Sequence, residues 1–351
     1  MSQSLPDSFP IKPRFGVIDA IKGVAILLVV FGHTVQGGMH RQLWDHIPRL
    51  ANGLNFTDVF IYSFHMPAFF FVAGLFLEKS VERRGRLDFI LEKCRTLLYP
   101  YILWCLLSFI IDPLTAPFRL AATQPTWQER VYAIVSGNAS WFLVTLFLSQ
   151  MLVLLILRFP HWLQTLLATG IALLVPISDV TIFYKPLQYL PFLVAGMWIS
   201  QNRIPMLEEW PKRLVWLGFA ALLMVQLAAI ALGPQNRWTL VPFGLVGIFM
   251  LVLFCLGIQD TPGERIMIWC GEASLAIFLL SGPFQGMGRE FVTRVLHTNN
   301  PVPYLSITSL FGIIFPALLW VYKEKLHIVW LFRWPSRTTP SVSSKREPIM
   351  R

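Results

Sequence analysis

Three ionisable side chains lie within the first long apolar stretch of the chain, VIDAIKGVAILLVVFGHTV, which covers residues 17–35. Lys22 and His33 are eleven residues apart. Since a helix turns roughly 100° per residue, both side chains point to nearly the same face, about 16 Å apart along the axis. Asp19 lies three residues before Lys22 and therefore beside it. Ionisable groups at membrane depth cost free energy unless they meet partners or water. This column of ionisable residues along one helix face therefore favours a functional site. The alternative is that Asp19 and Lys22 reach the inner membrane surface and His33 merely ends the helix.

A second segment, TDVFIYSFHMPAFFFVAG, carries a further carboxylate and imidazole. Asp58 and His65 are seven residues apart, which again places them on nearly one helix face, about 10 Å apart. Pro67 leaves the carbonyl of Ser63 without its helical partner. Histidine is well suited to take a proton from a hydroxyl near neutral pH, and it can also carry an acyl group as a nucleophile. We therefore expect His33, His65 and Asp58 to converge in a catalytic site. The alternative for His65 is a packing or hydrogen-bonding role.

The elements that must position these residues are membrane helices. The chain has 351 residues, of which 55% are hydrophobic and only 14% charged, and its mean hydropathy is +0.59. No soluble domain of this length could bury so much apolar surface, so the composition predicts an all-α, polytopic membrane protein. The formal charge of +10 is explained by the positive-inside rule, and no nucleic-acid partner is expected. The four cysteines show no paired spacing, so neither a disulfide framework nor a metal site is expected.

Hydropathy predicts about ten transmembrane spans with both termini inside. The inner segments then hold 20 Lys and Arg residues and the outer segments eight, with Lys22 inside the first span. The predicted organisation is a cytosolic segment 1–16, a transmembrane domain 17–325 and a cytosolic tail 326–351. A loop from Pro113 to Ala139 is expected to face outward. The approximate spans are 17–35, 58–78, 96–112, 140–158, 162–178, 184–201, 213–233, 238–258, 267–286 and 303–323.

Cations at the predicted inner side could bind an anionic donor. Lys22 lies at the inner end of the first span, and the following inner loop is strongly basic. The phosphates of a nucleotide-bearing donor would fit these groups. Alternatively, the loop sets the topology and contacts anionic lipid headgroups. Trp141, at the outer start of the fourth span, is a candidate stacking platform for a sugar or an interfacial aromatic anchor. The basic loop residues are Lys79, Arg83, Arg84, Arg86, Lys93 and Arg95.

Two of these segments resemble motifs of the membrane-bound acyltransferase 3 family. DAIKGVAILLVVFGH is similar to the family's opening motif, in which Arg or Lys is followed by ten residues and then His. SFHMPAFFFVAGLF resembles its second-helix pattern of an aromatic residue, His, Met and Pro followed by Phe-rich residues. Weaker similarities lie in RTLLYPYILW, WFLVTLFL and GEASLAIFLL.

The resemblance implies O-acyl transfer, usually of acetyl, from cytosolic acyl-CoA to a sugar hydroxyl at the outer face. Lys22 would be the motif's basic residue, His33 its essential histidine, acting as base or acyl carrier, and His65 the second-helix histidine. Donor binding would involve Lys22, Asp19, Lys93 and Arg95. Two positions depart from the family pattern. Leu91 stands where the family often has an Arg four residues before Arg95, with Lys93 the nearest substitute. Ser281 stands where many members have a histidine.

The expected location is the bacterial cytoplasmic (inner) membrane. The resemblance implies acyl-CoA, in the first instance acetyl-CoA, as the donor substrate, and no tightly bound cofactor is expected. The expected partners are acyl-CoA, a sugar or glycan acceptor, membrane lipids and glycan-assembly proteins. A proton-coupled secondary transporter using Lys22, His33 and His65 is the main alternative, since it also needs intramembrane ionisable groups. A scaffold membrane protein is a third interpretation, but it would not readily explain the column of Lys22 and His33.

Overall fold

The computed structural model describes residues 16–115, 126–233, 236–298 and 300–334, and these ranges contain helices and turns but no strand. The all-α prediction is therefore confirmed. Part of the predicted outward loop (116–125), most of the predicted N-terminal segment (1–15) and the end of the predicted tail (335–351) lie outside the described residues.

The described residues form a succession of helices. The first seven are α1 (Gly16–His40), α2 (Pro48–Arg84), α3 (Arg86–Lys93), α4 (Tyr99–Thr115), α5 (Trp127–Val135), α6 (Trp141–Ile156) and α7 (His161–Leu174). The next seven are α8 (Thr181–Gln188), α9 (Leu190–Glu208), α10 (Lys212–Leu232), α11 (Arg237–Gly257), α12 (Pro262–Glu272), α13 (Ser274–Glu290) and α14 (Pro301–Tyr322). A π-helical turn, Cys94–Leu98, joins α3 to α4, and another, Phe291–Val295, extends α13.

Fewer helices than predicted are long and apolar enough to cross a membrane. Within the described residues there are six, or seven if a bent pair counts as one span. The bent pair is α12 with the helical stretch Ser274–Val295, which meet at 80°. Helices α6 and α7 lie where spans four and five were predicted, but they are shorter apolar helices. The count of ten spans and the orientation remain predictions. The six are Gly16–His40, Pro48–Arg84, Arg86–Ile111, Lys212–Leu232, Trp238–Gly257 and Pro301–Tyr322.

The predicted basic loop is helical on both sides of one glycine. Helix α2 continues to Arg84, and Gly85 then adopts a φ of 81°, a left-handed conformation that glycine reaches without strain. Helix α3 follows directly, buries only Phe89 and continues through the π-helical turn into α4. The basic segment is therefore continuous with membrane-candidate helices at both of its ends.

Two pairs of glycines bring helix backbones into direct contact. A Cβ on Gly23 of α1 would lie 1.8 Å from the carbonyl oxygen of Met267 in α12, and one on Gly271 would lie 1.9 Å from that of Asp19. Glycines 74 and 196 make the equivalent reciprocal contact between α2 and α9. Without a hydrophobic driving force in lipid, helices associate through such close backbone packing. These contacts fix α1 and α2, the two helices that carry the predicted catalytic residues.

Candidate functional site

The predicted catalytic histidines line one cavity of about 290 Å³ between four helices. We call it the histidine cavity. Its polar lining residues lie on α1, on α2, at the start of α6 and in the middle of α13. Its lining residues are Val29, His33, Tyr62, His65, Met66, Ser140, Trp141, Phe278, Leu279, Ser281 and Gly282. The volume is at the small end of ligand sites, which range over about 300–1,000 Å³.

The two histidines are held differently. His65 is 1% exposed, and its Nδ1 lies 2.6 Å from the carbonyl oxygen of Ile61. A carbonyl only accepts, so the neutral ring carries its proton on Nδ1 and keeps a lone pair on Nε2. The edge of Tyr62 meets the His65 ring at 4.6 Å. His33 is exposed towards the cavity and makes no hydrogen bond to another described residue. Its ring nitrogens are thus available to a substrate.

Asp58 does not line the histidine cavity, but a chain of hydrogen bonds connects it to a residue that does. Gln36 Nε2 donates to Asp58 Oδ2 at 3.3 Å, and the Tyr62 hydroxyl donates to Gln36 Oε1 at 3.1 Å. The carboxylate therefore orients Tyr62 through Gln36. Tyr62 is a site residue that the sequence reasoning missed, although it precedes His65 by three residues and so shares its helix face.

A second cavity, of about 390 Å³, contains the two lysines predicted to bind the donor. We call it the lysine cavity. Lys22 forms an ion pair with Asp19 at 2.6 Å, and the two side chains are 29% and 27% exposed. The Lys93 ammonium lies 5.1 Å from the ring centre of Phe89. The lining residues are Lys22, Ile26, Phe69, Val72, Ala73, Phe76, Lys93, Thr96, Leu97, Phe142, Leu143, Leu146, Ser274, Leu275 and Phe278.

Arg95 lies apart from both cavities. It lines a separate groove together with Leu91 and Tyr99, and its carbonyl oxygen accepts a hydrogen bond from the backbone N–H of Trp334 at 3.2 Å. Lys93, two residues earlier, is the member of the basic segment that lines the lysine cavity together with Lys22. Ser281 of α13, which stands where many family members have a histidine, lines the histidine cavity.

The two cavities follow one another along the same helices. In α1 the lining changes from Lys22 and Ile26 to Val29 and His33, and α2, α6 and α13 show the same succession. Phe278 lines both cavities. The two cavities therefore adjoin at Phe278, with a cation in one and an imidazole in the other, about 16 Å apart along α1.

Trp141 is covered by a cation that the sequence analysis did not consider. The ammonium of Lys185 in α8 lies 3.8 Å from the ring centre of Trp141, and Tyr189 lies 5.6 Å from the same ring. Lys185 thus occupies a face of the ring on which a sugar would otherwise stack. Within the described residues Lys185 has no ion-pair partner, and its contact with the Trp141 ring is a cation–π interaction.

The fold and the site thus define an all-helical membrane protein in which a cavity lined by two lysines adjoins a cavity lined by two histidines. A family model for an acyltransferase domain matches residues 15–321. The chain belongs to the acyltransferase 3 family, so the resemblance found in the sequence is confirmed.

Two curated relatives are similar to parts of the chain. Nodulation protein NolL of Mesorhizobium japonicum is 24% identical over 208 residues, which are 56% of this chain and 50% of the relative. Nodulation protein NolL of Sinorhizobium fredii is 27% identical over 188 residues, 52% of this chain and 48% of the relative. The similarity thus spans about half the length of these relatives. No solved structure matches the chain.

Proposed function

We propose that this membrane acyltransferase transfers an acyl group, acetyl in the first instance, from cytosolic acyl-CoA to a hydroxyl of a cell-surface or periplasmic glycan. The single observation that carries this proposal is the alignment of the lysine and histidine cavities along α1. The bacterial inner membrane, with the lysine cavity towards the cytosol, is the location that fits the distribution of Lys and Arg.

The lysine cavity suits the charged part of the donor. Lys22 and Lys93 line it together, and apolar side chains form most of the remaining wall. Phosphate groups gain strong charge-assisted hydrogen bonds from ammonium groups, and Asp19 holds the Lys22 side chain in place. The thioester end of the donor would extend along α1 towards His33.

The histidine cavity suits the chemical step. His33 takes the proton of the acceptor hydroxyl while the hydroxyl oxygen attacks the thioester carbonyl. The carbon–sulfur bond then breaks, and the leaving thiolate takes the proton from the imidazolium, so that an ester and free CoA are formed. His65 presents Nε2 to the same cavity because its Nδ1–H is used by Ile61. Transfer through an acyl-His33 intermediate uses the same residues.

The test is acyl transfer in isolated membranes that contain the protein and its glycan acceptors. With acetyl-CoA labelled in the acetyl group, we expect label in the glycan, and we expect His33→Gln to lower the rate by about 10²–10⁴-fold. Glutamine can hydrogen-bond but cannot titrate near neutral pH. His46→Gln is the control, because His46 is exposed in the connection between α1 and α2 and lies outside both cavities.

Two results would contradict the proposal. If wild-type membranes transfer no label to glycan but move an unmodified solute, the protein acts as a transporter. If His33→Gln keeps more than about half of the wild-type activity at equal membrane abundance, His33 takes no part in the chemistry. A burst of label on the protein that disappears in His33→Gln would favour the acyl-carrier route over the general base.

A further inference from the structure

Phe278 stands at the boundary between the two cavities. On α13, Ser274 and Leu275 line the lysine cavity, whereas Leu279 and Ser281 line the histidine cavity. Phe278 lines both and is only partly buried, since its ring borders empty space. It is the one residue that the two cavity linings share.

The opposite side of the boundary is an aromatic cluster on α2 and α6. Phe142 lies 5.1 Å from Phe278, ring centre to ring centre, in an edge-to-face arrangement. Phe69 and Phe70 contact Phe142 at 5.4 and 5.7 Å. Phe142 is only 7% exposed and is therefore held on several sides. Phe278 is the more accessible partner, so its ring limits the space where the two cavities adjoin.

We propose that Phe278, closing against Phe142, selects donors by the length of their acyl chain and restricts transfer to short acyl groups. This inference rests on the proposed function. For the thioester carbon to reach His33, the acyl chain must lie beyond it, in the histidine cavity, together with the acceptor hydroxyl. A cavity of about 290 Å³ holds an acyl group of a few carbons beside a sugar. The Phe278 ring occupies the space into which a longer chain would fold.

The expected change in donor specificity can be estimated from the cost of adding methylene groups to an acyl chain in a pocket of fixed size. One extra or missing methylene in a hydrophobic pocket changes specificity by about 10–200-fold. Replacing Phe278 with Ala joins the two cavities and provides room for several methylenes. We therefore expect Phe278→Ala to raise the ratio of octanoyl to acetyl transfer by at least about tenfold, while acetyl transfer itself slows because the short group is held less firmly.

The experiment measures transfer from acetyl-, butyryl-, hexanoyl- and octanoyl-CoA in the same membranes. The readout is the ratio between donors within each variant, which is independent of protein abundance. Phe278→Leu keeps an apolar side chain in the core and should extend the range to butyryl. Phe284→Ala is the matched control: it removes a phenyl ring from the same helix, where Phe284 stacks on Phe315 at 5.3 Å outside both cavities.

An unchanged donor profile in Phe278→Ala, with acetyl transfer retained, would overturn the proposal. So would a profile in Phe284→Ala that shifts as much as in Phe278→Ala. If both Phe278 variants are inserted but inactive with every donor, the ring is needed for the reaction itself and the selective role is wrong. Failure of the proposed function gives a different result, because the wild-type protein then transfers acyl groups from none of these donors.

Discussion

Gly23→Ala tests whether the contact between α1 and α12 positions the site. The added Cβ would lie 1.8 Å from the carbonyl oxygen of Met267. An ordinary contact needs roughly twice that distance, so the two backbones must separate by about 1.5 Å. Overpacking of this kind typically costs about 1–3 kcal/mol, and a backbone oxygen cannot move aside as a flexible side chain can. Lys22 and His33 lie on the displaced helix, and a misplacement of about 1 Å can cost 10²-fold in rate.

The assay combines thermal unfolding of the detergent-purified protein with acyl transfer in membranes. Gly16→Ala is the control, since it adds the same methyl group to the same pair of helices, where the nearest atom, of Ile268, is 3.4 Å away. We expect Gly16→Ala to change the free energy of unfolding by less than about 0.5 kcal/mol. If Gly23→Ala is as stable and as active as Gly16→Ala, the close contact does not position the site and the reasoning is wrong.

Three further predictions concern the cations, the second histidine and the topology. Lys22→Arg should keep part of the acyl transfer, because it preserves a cation at this position. Lys22→Ala should weaken donor binding by about 10-fold or more, because charged hydrogen bonds contribute about 1.5–3 kcal/mol. An unchanged KM for acyl-CoA in Lys22→Ala would show that Lys22 only pairs with Asp19. His65→Asn keeps a donor for the Ile61 carbonyl but has no group at the Nε2 position, so transfer should fall at least about tenfold at equal abundance; full activity would leave His65 a packing residue. A cysteine at position 85, in a background without native cysteines, should react with an impermeant thiol reagent only after the membrane is opened; labelling from outside intact cells would reverse the proposed orientation.

Much of the site could be predicted from the sequence, because helix periodicity is a local property. The positions of Lys22 and His33 on one face of α1 follow from eleven residues at about 100° each, whatever packs around them. Hydropathy likewise predicted the all-helical membrane fold. The number of spans could not be predicted as well from the sequence, because the hydropathy of a segment does not show where the chain bends. The 80° break before Ser274 and the short helices α6 and α7 depend on packing.

Periodicity also constrains Lys93 and Arg95, but it could not choose between them. Residues two positions apart on a helix point about 200° apart, so the two cannot face the same cavity. Which of the two lines the lysine cavity depends on the direction in which α3 and its π-helical turn pack against the bundle, and in the structure it is Lys93. The hydrogen bonds from Gln36 of α1 to Asp58 and Tyr62 of α2 likewise depend on how two helices pack.

The sequence by itself therefore determined the class of fold, the family and the column of charged groups on α1, since each depends on residues close together in the chain. Only the tertiary structure decided that Phe278 borders both cavities and that Lys185 covers Trp141. Phe278 meets Phe142 from another helix, and Lys185 lies in α8, more than 40 residues after Trp141. Contacts between residues so far apart are set by how the helices pack, which no local pattern encodes.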